Sequence, residues 1–164
     1  MQSLQSQTIK NMKLINRPIF LAITLASFFS LPCQAAEKEA KEISSIIKES
    51  TEKINKLDVE GGLKHIHPTT YNEYSHIPQK PLLRIDRKSL IDICKAIFPG
   101  LKIKSGPALD LKVVIKGDMA YATYQSKKQI GDGPPMMVRH TDIFVRENKN
   151  WLLTHSHRSI LNGE

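Results

Sequence analysis

The strongest constraint on the fold is a change in hydrophobic period near residue 101. Before that point apolar residues recur at helical spacing, and from Leu101 onward they fall on every second residue. A period of 3.6 is typical of an amphipathic helix, and a period of 2 is typical of a strand with one buried face. We therefore expect an α+β domain in which helices come first and cover one face of a curved, mainly antiparallel sheet.

Two segments of the first half carry the helical period. Residues 37–57 place isoleucines on one side and Lys and Glu on the other, which predicts one long amphipathic helix. Residues 87–98 repeat the pattern, and we expect that helix to end at Pro99-Gly100. Between them, Asp58 can cap a short second helix and residues 71–77 predict a short strand.

The second half alternates with a period of two residues over five segments. The residues that share one face within each segment are Leu101/Ile103, Leu109/Leu111/Val113/Ile115, Ala120/Ala122/Tyr124, Met137/Arg139/Thr141/Ile143/Val145 and Trp151/Leu153/His155/His157/Ser159. Gly117-Asp118 and Asn148-Lys149-Asn150 stand where tight turns are needed. This pattern predicts an antiparallel meander.

Residues 1–35 have the three regions of a secretory signal peptide. A stretch with three basic and no acidic residues precedes the apolar run 19–31, which is too short to span a bilayer, and small residues follow it. We expect cleavage after Ala35, which leaves a single domain, residues 36–164, in the periplasm or outside the cell. Met12 is an alternative start, since a complete basic region follows it.

The composition of the mature chain narrows the alternatives. Loss of residues 1–35 lowers the net charge from +8 to +5, and the remaining charges are mixed, so we expect no nucleic-acid partner. Cys94 becomes the only thiol, which excludes an internal disulfide. Cys33 raises the alternative of a lipoprotein, but Pro32 before it fits an acylation motif poorly.

The C-terminal half carries motifs that are similar to those of a known family. It contains Gly117-Asp118-Met119-Ala120, then Arg139-x-Thr141, then Trp151 followed by His155-x-His157-x-Ser159. In this order the motifs resemble the SnoaL-like branch of the nuclear transport factor 2-like (NTF2-like) superfamily, which includes the ketosteroid isomerases. The resemblance covers about residues 39–160 in element order and is specific over 117–159.

The resemblance implies a cone in which a strongly bent sheet wraps around the N-terminal helices. It also implies a pocket at the wide end and dimers formed through the outer sheet face. This fold hosts isomerases, dehydratases, hydrolases and proteins that only bind a ligand, so the resemblance does not name a reaction.

The last two strands supply the predicted site. If Trp151 packs under the helices, the alternation carries His155 and His157 onto the same face, beside Arg139 and Thr141 of the preceding strand. Imidazole can donate or accept a proton near neutral pH, so we take His155 and His157 as candidate general acid and base. We expect ligand contacts from Arg139, Thr141, Tyr124, Trp151 and Tyr74.

Two observations leave other roles open for these histidines. Isomerases of the superfamily use an Asp base, and neither Asp110 nor Asp142 is convincingly placed, since Asp142 has the opposite parity to Thr141. The histidines are equally compatible with a structural polar cluster. The sequence therefore leaves three functions open: binding of a small organic ligand, which we favour, His-mediated acid/base catalysis, and an accessory role through the surface.

A metal site is a further alternative, because His155-x-His157 and His65-x-His67 together offer four imidazoles. Side chains two residues apart diverge at the end of a helix, where the second pair is predicted to lie. We therefore expect neither a metal nor another cofactor.

The opposite parity of the last strands defines a second apolar set, which we expect on the outer sheet face and against a second copy of the chain. Its members are Met136, Val138, Phe144 and Leu152, interrupted by His140, Asp142 and Arg146.

Overall fold

The computed structural model describes residues 18–76 and 83–161 of the chain. The chain divides into two units, Met1–Ala35 and Ala36–Glu164, and the fold below is that of the second unit. Among the residues described, no helix is both long and apolar enough to cross a bilayer.

Within residues 18–76 and 83–161 the structure has three helices, in the order expected from the helical period. Their bounds are α1 Pro18–Asn55, α2 Val59–Gly62 and α3 Arg87–Leu101. Asp58 caps α2 by accepting a hydrogen bond from the backbone N–H of Gly61 (2.9 Å), as predicted. Asp86 caps α3 in the same way by accepting from Ser89 N–H (2.7 Å).

The predicted end of α3 at Pro99-Gly100 is wrong by about half a turn. The helix continues through Pro99 to Leu101, and Lys102 follows in the left-handed region with φ 47°. Proline in the last turn removes one backbone donor, and the exposed C-terminal turn tolerates that loss.

In the part of the chain that the structure describes, seven strands form one curled sheet. Their bounds are β1 Asn72–His76, β2 Leu83–Asp86, β3 Lys104–Ser105, β4 Leu109–Lys116, β5 Met119–Gln129, β6 Met136–Glu147 and β7 Asn150–Leu161. The spatial order is β2-β1-β7-β6-β5-β3, with β4 also paired to β5. All pairs are antiparallel except β1 with β7, which is parallel. The sheet is therefore mixed, and its long strands form the predicted meander.

The two tight turns lie where the sequence places them. Gly117 has φ +60° between β4 and β5, and Asn148 and Lys149 have φ +49° and +68° between β6 and β7. Two successive positive φ angles match the type I′ turn, whose twist joins antiparallel strands well. The passage expected around Pro78 and Pro81 lies outside the described residues, and β2, which follows it, was not predicted.

A β-bulge interrupts the pairing of β6 with β7. Ile143 pairs with His155, whereas the next residue, Phe144, pairs with Leu153, so Thr154 has no opposite residue. One extra residue in a strand moves every later side chain to the other face. Up to Leu153 the odd residues of β7 face the helices, and from Ser156 the even residues do.

Two apolar clusters hold the helices against the concave face of the sheet. In the first, Ile43, Ile46 and Ile47 of α1 pack against the sheet residues Phe144 and Trp151. The second joins α2, α3 and β2 through six aliphatic or aromatic side chains and Cys94; its members are Val59, Leu63, Ile66, Tyr71, Ile85, Leu90 and Cys94. Leu153 contacts both clusters.

The predicted faces of β6 are reversed in the structure. Val138, Asp142 and Phe144 are 5%, 3% and 1% exposed and point toward the helices, so they do not belong to the outer apolar set. Met136 lines the interior as well. Both faces of β6 carry apolar residues, which made the alternation ambiguous; Asp142 can be buried because two hydroxyl groups donate to it.

The outer sheet face nevertheless carries an apolar patch, made of other residues. Met119 and Tyr121 are 54% and 46% exposed, and the register places Val145 and Ile143 opposite them on β6. Leu152 pairs with Val145 on the same face. We refer to Met119, Tyr121, Ile143, Val145 and Leu152 as the outer patch.

Candidate functional site

A cavity of about 290 Å³ lies between the concave face of the sheet and the helices. Much of its wall is apolar, with Ile46 of α1, Leu90 and Phe98 of α3, and Val138 of β6 among the lining side chains. Polar groups of four neighbouring strands complete the wall. Small-molecule sites commonly combine a mainly apolar wall with a few converging polar groups, and they enclose roughly 300–1,000 Å³.

Two adjacent rows of paired residues cross the sheet at the polar part of this wall. The His140 row consists of Tyr124, His140, Arg158 and Ser75, and the Asp142 row consists of Ala122, Asp142, Ser156 and Glu73. Each row takes one residue from β5, β6, β7 and β1. The bulge at Thr154 brings Ser156 and Arg158 onto this face.

Asp142 is 3% exposed and has both carboxylate oxygens occupied. Tyr124 Oη donates to Oδ2 (2.9 Å) and Ser156 Oγ donates to Oδ1 (2.6 Å). Burial raises the pKa of Asp142 above 3.8, and the charge of Arg158 and the two hydrogen bonds oppose that rise. Burial and the charge of Asp142 also raise the pKa of Tyr124 well above 10, so Tyr124 remains a phenol donor.

His140 lies parallel to the ring of Tyr124, with ring centroids 4.4 Å apart. Its Nε2 is 2.9 Å from Ser126 Oγ, and its buried Nδ1 has no hydrogen-bond partner within the described residues. Burial, together with the charges of Arg158 and Lys128, lowers the pKa of His140 to about 3. The imidazole is therefore neutral at pH 7.

Arg158 and Glu73 form an ion pair beside these groups, with 3.2 Å between Arg158 NH1 and Glu73 Oε1. Tyr71 Oη donates to the other oxygen of Glu73 (2.8 Å), so this buried carboxylate is also fully occupied. Burial by itself would lower the pKa of Arg158, but the combined effect of Glu73, Tyr71, Asp142 and Tyr124 outweighs it and the pKa is raised. Arg158 therefore keeps its charge in the cavity wall.

Lys128 of β5 adds a second cation to the lining. Burial and the charge of Arg158 lower its pKa, and Glu73 acts in the opposite direction. The wall thus combines two cationic side chains, a neutral imidazole and two carboxylates that protein donors already occupy. Such a wall can hold a ligand that accepts hydrogen bonds, and it can supply Asp142 as a proton-transfer group.

The structure brings Arg139, Thr141, His155 and His157 together, but on the outer face of the sheet. Thr141 pairs with His157, and Arg139 with Ser159, so the residues of the two strands lie beside one another, as expected. None of the four lines the cavity. The prediction that they form the floor of the pocket is wrong, because β6 presents its even residues inward and the bulge reverses β7 before His155.

His155 on the outer face has side-chain partners on β1. His155 Nδ1 is 2.7 Å from Asn72 Oδ1, and the ring centroid of Tyr74 is 5.8 Å from that of His155. Tyr74 therefore also lies outside the cavity lining. His155 thus has a polar partner on β1 and lies outside the cavity lining.

The remaining two predicted residues differ from each other. Tyr124 lines the cavity, as predicted. Trp151 is 1% exposed and lies in the first apolar cluster, with the guanidinium of Arg146 5.1 Å from its ring centroid. Trp151 is thus a core residue outside the lining. Arg146 also pairs with Glu39 of α1 and with Asp118, which fixes the helix to the sheet.

The side chains of His65 and His67 point to different surroundings. His65 lines the cavity. His67 Nδ1 accepts from the backbone N–H groups of Thr69 (3.2 Å) and Thr70 (3.1 Å), so Nε2 carries the proton and donates to Glu147 (3.1 Å). The described part of the chain contains no cluster of three or more candidate metal ligands.

Sequence reasoning missed most of the polar wall. The missed residues are Glu73, Ser126, Lys128, His140, Asp142, Ser156 and Arg158. The available signal was an acidic residue in the middle of a long strand, Asp142 of β6, because a buried Asp requires donors from its neighbours. In β7, by contrast, nothing in the alternation of residues indicated that Ser156 and Arg158 face inward.

The sequence profile of the SnoaL-like domain family matches residues 43–163. No functionally curated protein matches the chain. Similar solved structures include an NTF2-like protein of unknown function from Pseudomonas putida (17% identity, TM-score 0.65, covering 76% of this chain and 87% of that one). A second is an NTF2-like protein with a cystatin-like fold from Novosphingobium aromaticivorans (15%, 0.65, 85% and 90%).

A third similar structure is a proposed dehydratase of the NTF2-like family from Streptomyces avermitilis, with 17% identity and a TM-score of 0.63. The match covers 78% of this chain and 99% of that one. At these identities the likeness establishes the fold, which agrees with the expected cone of a curved sheet and N-terminal helices.

The lowered pKa of His140 predicts a specific pH dependence of stability. Below about pH 6.5 the unfolded chain protonates this imidazole while the folded chain does not, so the free energy of unfolding falls as the pH drops toward 3. His140→Gln removes this contribution. Urea unfolding at pH 7.0, 5.5 and 4.5 should show a smaller loss of stability in His140→Gln than in the wild type.

His157→Gln is the matched control, because it removes an imidazole from the outer face and should leave the wild-type pH dependence in place. Identical pH profiles for His140→Gln and the wild type would contradict a buried neutral His140.

Proposed function

The chain belongs to the SnoaL-like domain family, and from this membership and the half-polar cavity we propose that it binds a small organic ligand inside the cone. The observation that carries the proposal is the cavity of about 290 Å³, whose apolar wall ends in the polar His140 and Asp142 rows. Unpartnered buried donors and acceptors are costly in a folded protein, and a ligand that pairs with them offsets that cost.

A ligand screen with a blocked cavity tests the proposal. Hits from a metabolite library should raise the Tm of the protein, because a ligand bound only to the folded state stabilises it by mass action. Ala108→Trp fills part of the cavity and should abolish the shifts, whereas Ala96→Trp, on the exposed side of α3, should retain them. His157→Ala should also retain them.

Equal shifts in Ala108→Trp and the wild type would place the ligand elsewhere. A complete lack of hits in the wild type would favour the accessory role through the surface.

A second candidate function is acid/base catalysis, which the buried Asp142 favours. Its pKa is raised by burial, and Tyr124, a phenol with a raised pKa, donates to it at the cavity wall. Perturbed carboxyls in cavities are common proton-transfer groups. In the same screen, an enzyme would convert a hit into product over time, and Asp142→Asn would stop the conversion while binding persists. A hit that remains unchanged supports binding alone.

We propose that the mature protein works in the periplasm or outside the cell, because of the signal-peptide pattern of residues 1–35. The expected cleavage point coincides with the boundary between the two units, Met1–Ala35 and Ala36–Glu164. Intact-mass measurement of the protein from the periplasmic fraction of an expressing bacterium should give a chain that begins at Ala36. A chain of full length, confined to the cytosolic fraction, would contradict this location.

We also propose that the outer patch pairs two copies of the chain. A patch with Met119 and Tyr121 half exposed leaves apolar surface in water that a two-fold contact would bury. Light scattering at micromolar concentration should give the mass of a dimer. Tyr121→Glu should shift it to a monomer, and Ile97→Glu, an equally exposed apolar position on α3, should not. A monomeric wild type would refute the proposal.

A further inference from the structure

The polar part of the cavity has more hydrogen-bond donors than free acceptors. Both buried carboxylates are already occupied: Glu73 by Arg158 and Tyr71, and Asp142 by Tyr124 and Ser156. Each of the four carboxylate oxygens therefore already has one protein donor, and Lys128 is not among these donors.

The cationic side chains, by contrast, retain N–H groups that donate to no described residue. Arg158 lines the cavity with its side chain 31% exposed, and its guanidinium makes one ion pair to a residue that the structure describes, from Nη1 to Glu73. The Lys128 ammonium has neither an ion pair nor a hydrogen bond to any residue that the structure describes, although it lines the same cavity. An ammonium and a guanidinium N–H facing one cavity call for an anionic acceptor with two oxygens.

The two cations flank the same face of β6: Arg158 pairs with His140, and Lys128 pairs with Met136, four residues from His140 on that face. The positive charges of both Arg158 and Lys128 lower the pKa of His140, and Arg158 also lowers that of Lys128. An anion placed between them would relieve this mutual repulsion. An anion from outside the chain would give Lys128 the counter-ion that no described residue supplies.

The rest of the wall limits what that anion can be attached to. The cavity is small, and beyond the polar rows it is lined by aliphatic and aromatic side chains such as Ile46, Leu63, Leu90, Phe98 and Ile103. A fully hydrated inorganic anion gains nothing from such a wall, whereas an apolar chain or ring gains its burial there. We propose, building on the function proposed above, that the ligand is an organic monocarboxylate with an apolar body, held through its carboxylate by Lys128 and Arg158.

The test compares octanoate with octanamide, which have the same apolar chain and differ in charge. Calorimetric titration of the wild type should show octanoate binding at least about tenfold more tightly than octanamide, the difference expected for a hydrogen bond to a charged partner. Lys128→Met keeps most of the side-chain volume and removes the charge. It should weaken octanoate binding about tenfold and leave octanamide binding unchanged.

Lys127→Met is the matched control. Lys127 is the neighbouring residue of the same strand, pairs with Met137 on the outer face and is exposed, so its loss should leave both affinities at the wild-type value. Lys128→Gln, a polar replacement, repeats the test if Lys128→Met is not folded by circular dichroism. We leave Arg158 in place, because its removal would strand the buried charge of Glu73.

The outcomes separate this inference from the proposed function. If octanoate and octanamide bind equally and Ala108→Trp still abolishes both, the cavity binds ligands but the carboxylate assignment fails. If inorganic phosphate binds as tightly as octanoate, the site takes anions without an apolar body, and the assignment also fails. Equal losses of octanoate affinity in Lys127→Met and Lys128→Met would show that octanoate does not distinguish the cavity from the outer face. That result would overturn the carboxylate assignment.

Discussion

The bulge at Thr154 is the constraint on which the interior of the cone depends. It lies where β7 changes partners: Leu153 exchanges backbone hydrogen bonds with the segment around Ile66 (Leu153 N to His65 O, 2.7 Å; His67 N to Leu153 O, 2.9 Å), and from His155 onward β7 pairs with β1. The extra residue permits both pairings in one strand. It also directs Trp151 and Leu153 into the apolar clusters and Ser156 and Arg158 into the cavity wall.

The polar wall follows from that arrangement. Because Ser156 faces inward, it can donate to Asp142. Because Arg158 faces inward, it can pair with Glu73 of the neighbouring strand β1. Each buried carboxylate thus receives two protein donors, which is the condition for keeping it in the interior. The cations are less completely matched, since Arg158 Nε and Lys128 retain free donors among the described residues. The protein thus supplies donors for both of its buried carboxylates, and its two cations remain able to bind the carboxylate of the proposed ligand.

Much of the fold was predictable from the sequence, because it depends on local pattern. The change from helical to alternating period gave the order of elements, and positive φ at Gly117, Asn148 and Lys149 confirms the predicted turns. The motifs between residues 117 and 159 indicated the SnoaL-like family, which the family profile confirms.

The site was less predictable, because it depends on which face of two strands points inward. On β6, Ile143 and Phe144 are equally apolar neighbours, so alternation does not choose between them. On β7, the bulge is set by pairing with residues about 90 positions earlier, a long-range contact that the local sequence does not encode. Tyr124 was correctly placed because β5 has alanines on its inner face at Ala120 and Ala122, and no bulge follows them.

A crystal structure of the protein with octanoate tests the account most directly. We expect electron density inside the cone, with the carboxylate within about 3.2 Å of Lys128 Nζ and of a terminal nitrogen of the Arg158 guanidinium, and with the alkyl chain against Leu90 and Val138. Density on the outer face beside His155 and His157, or an inward-facing Thr141 in place of Asp142, would contradict it.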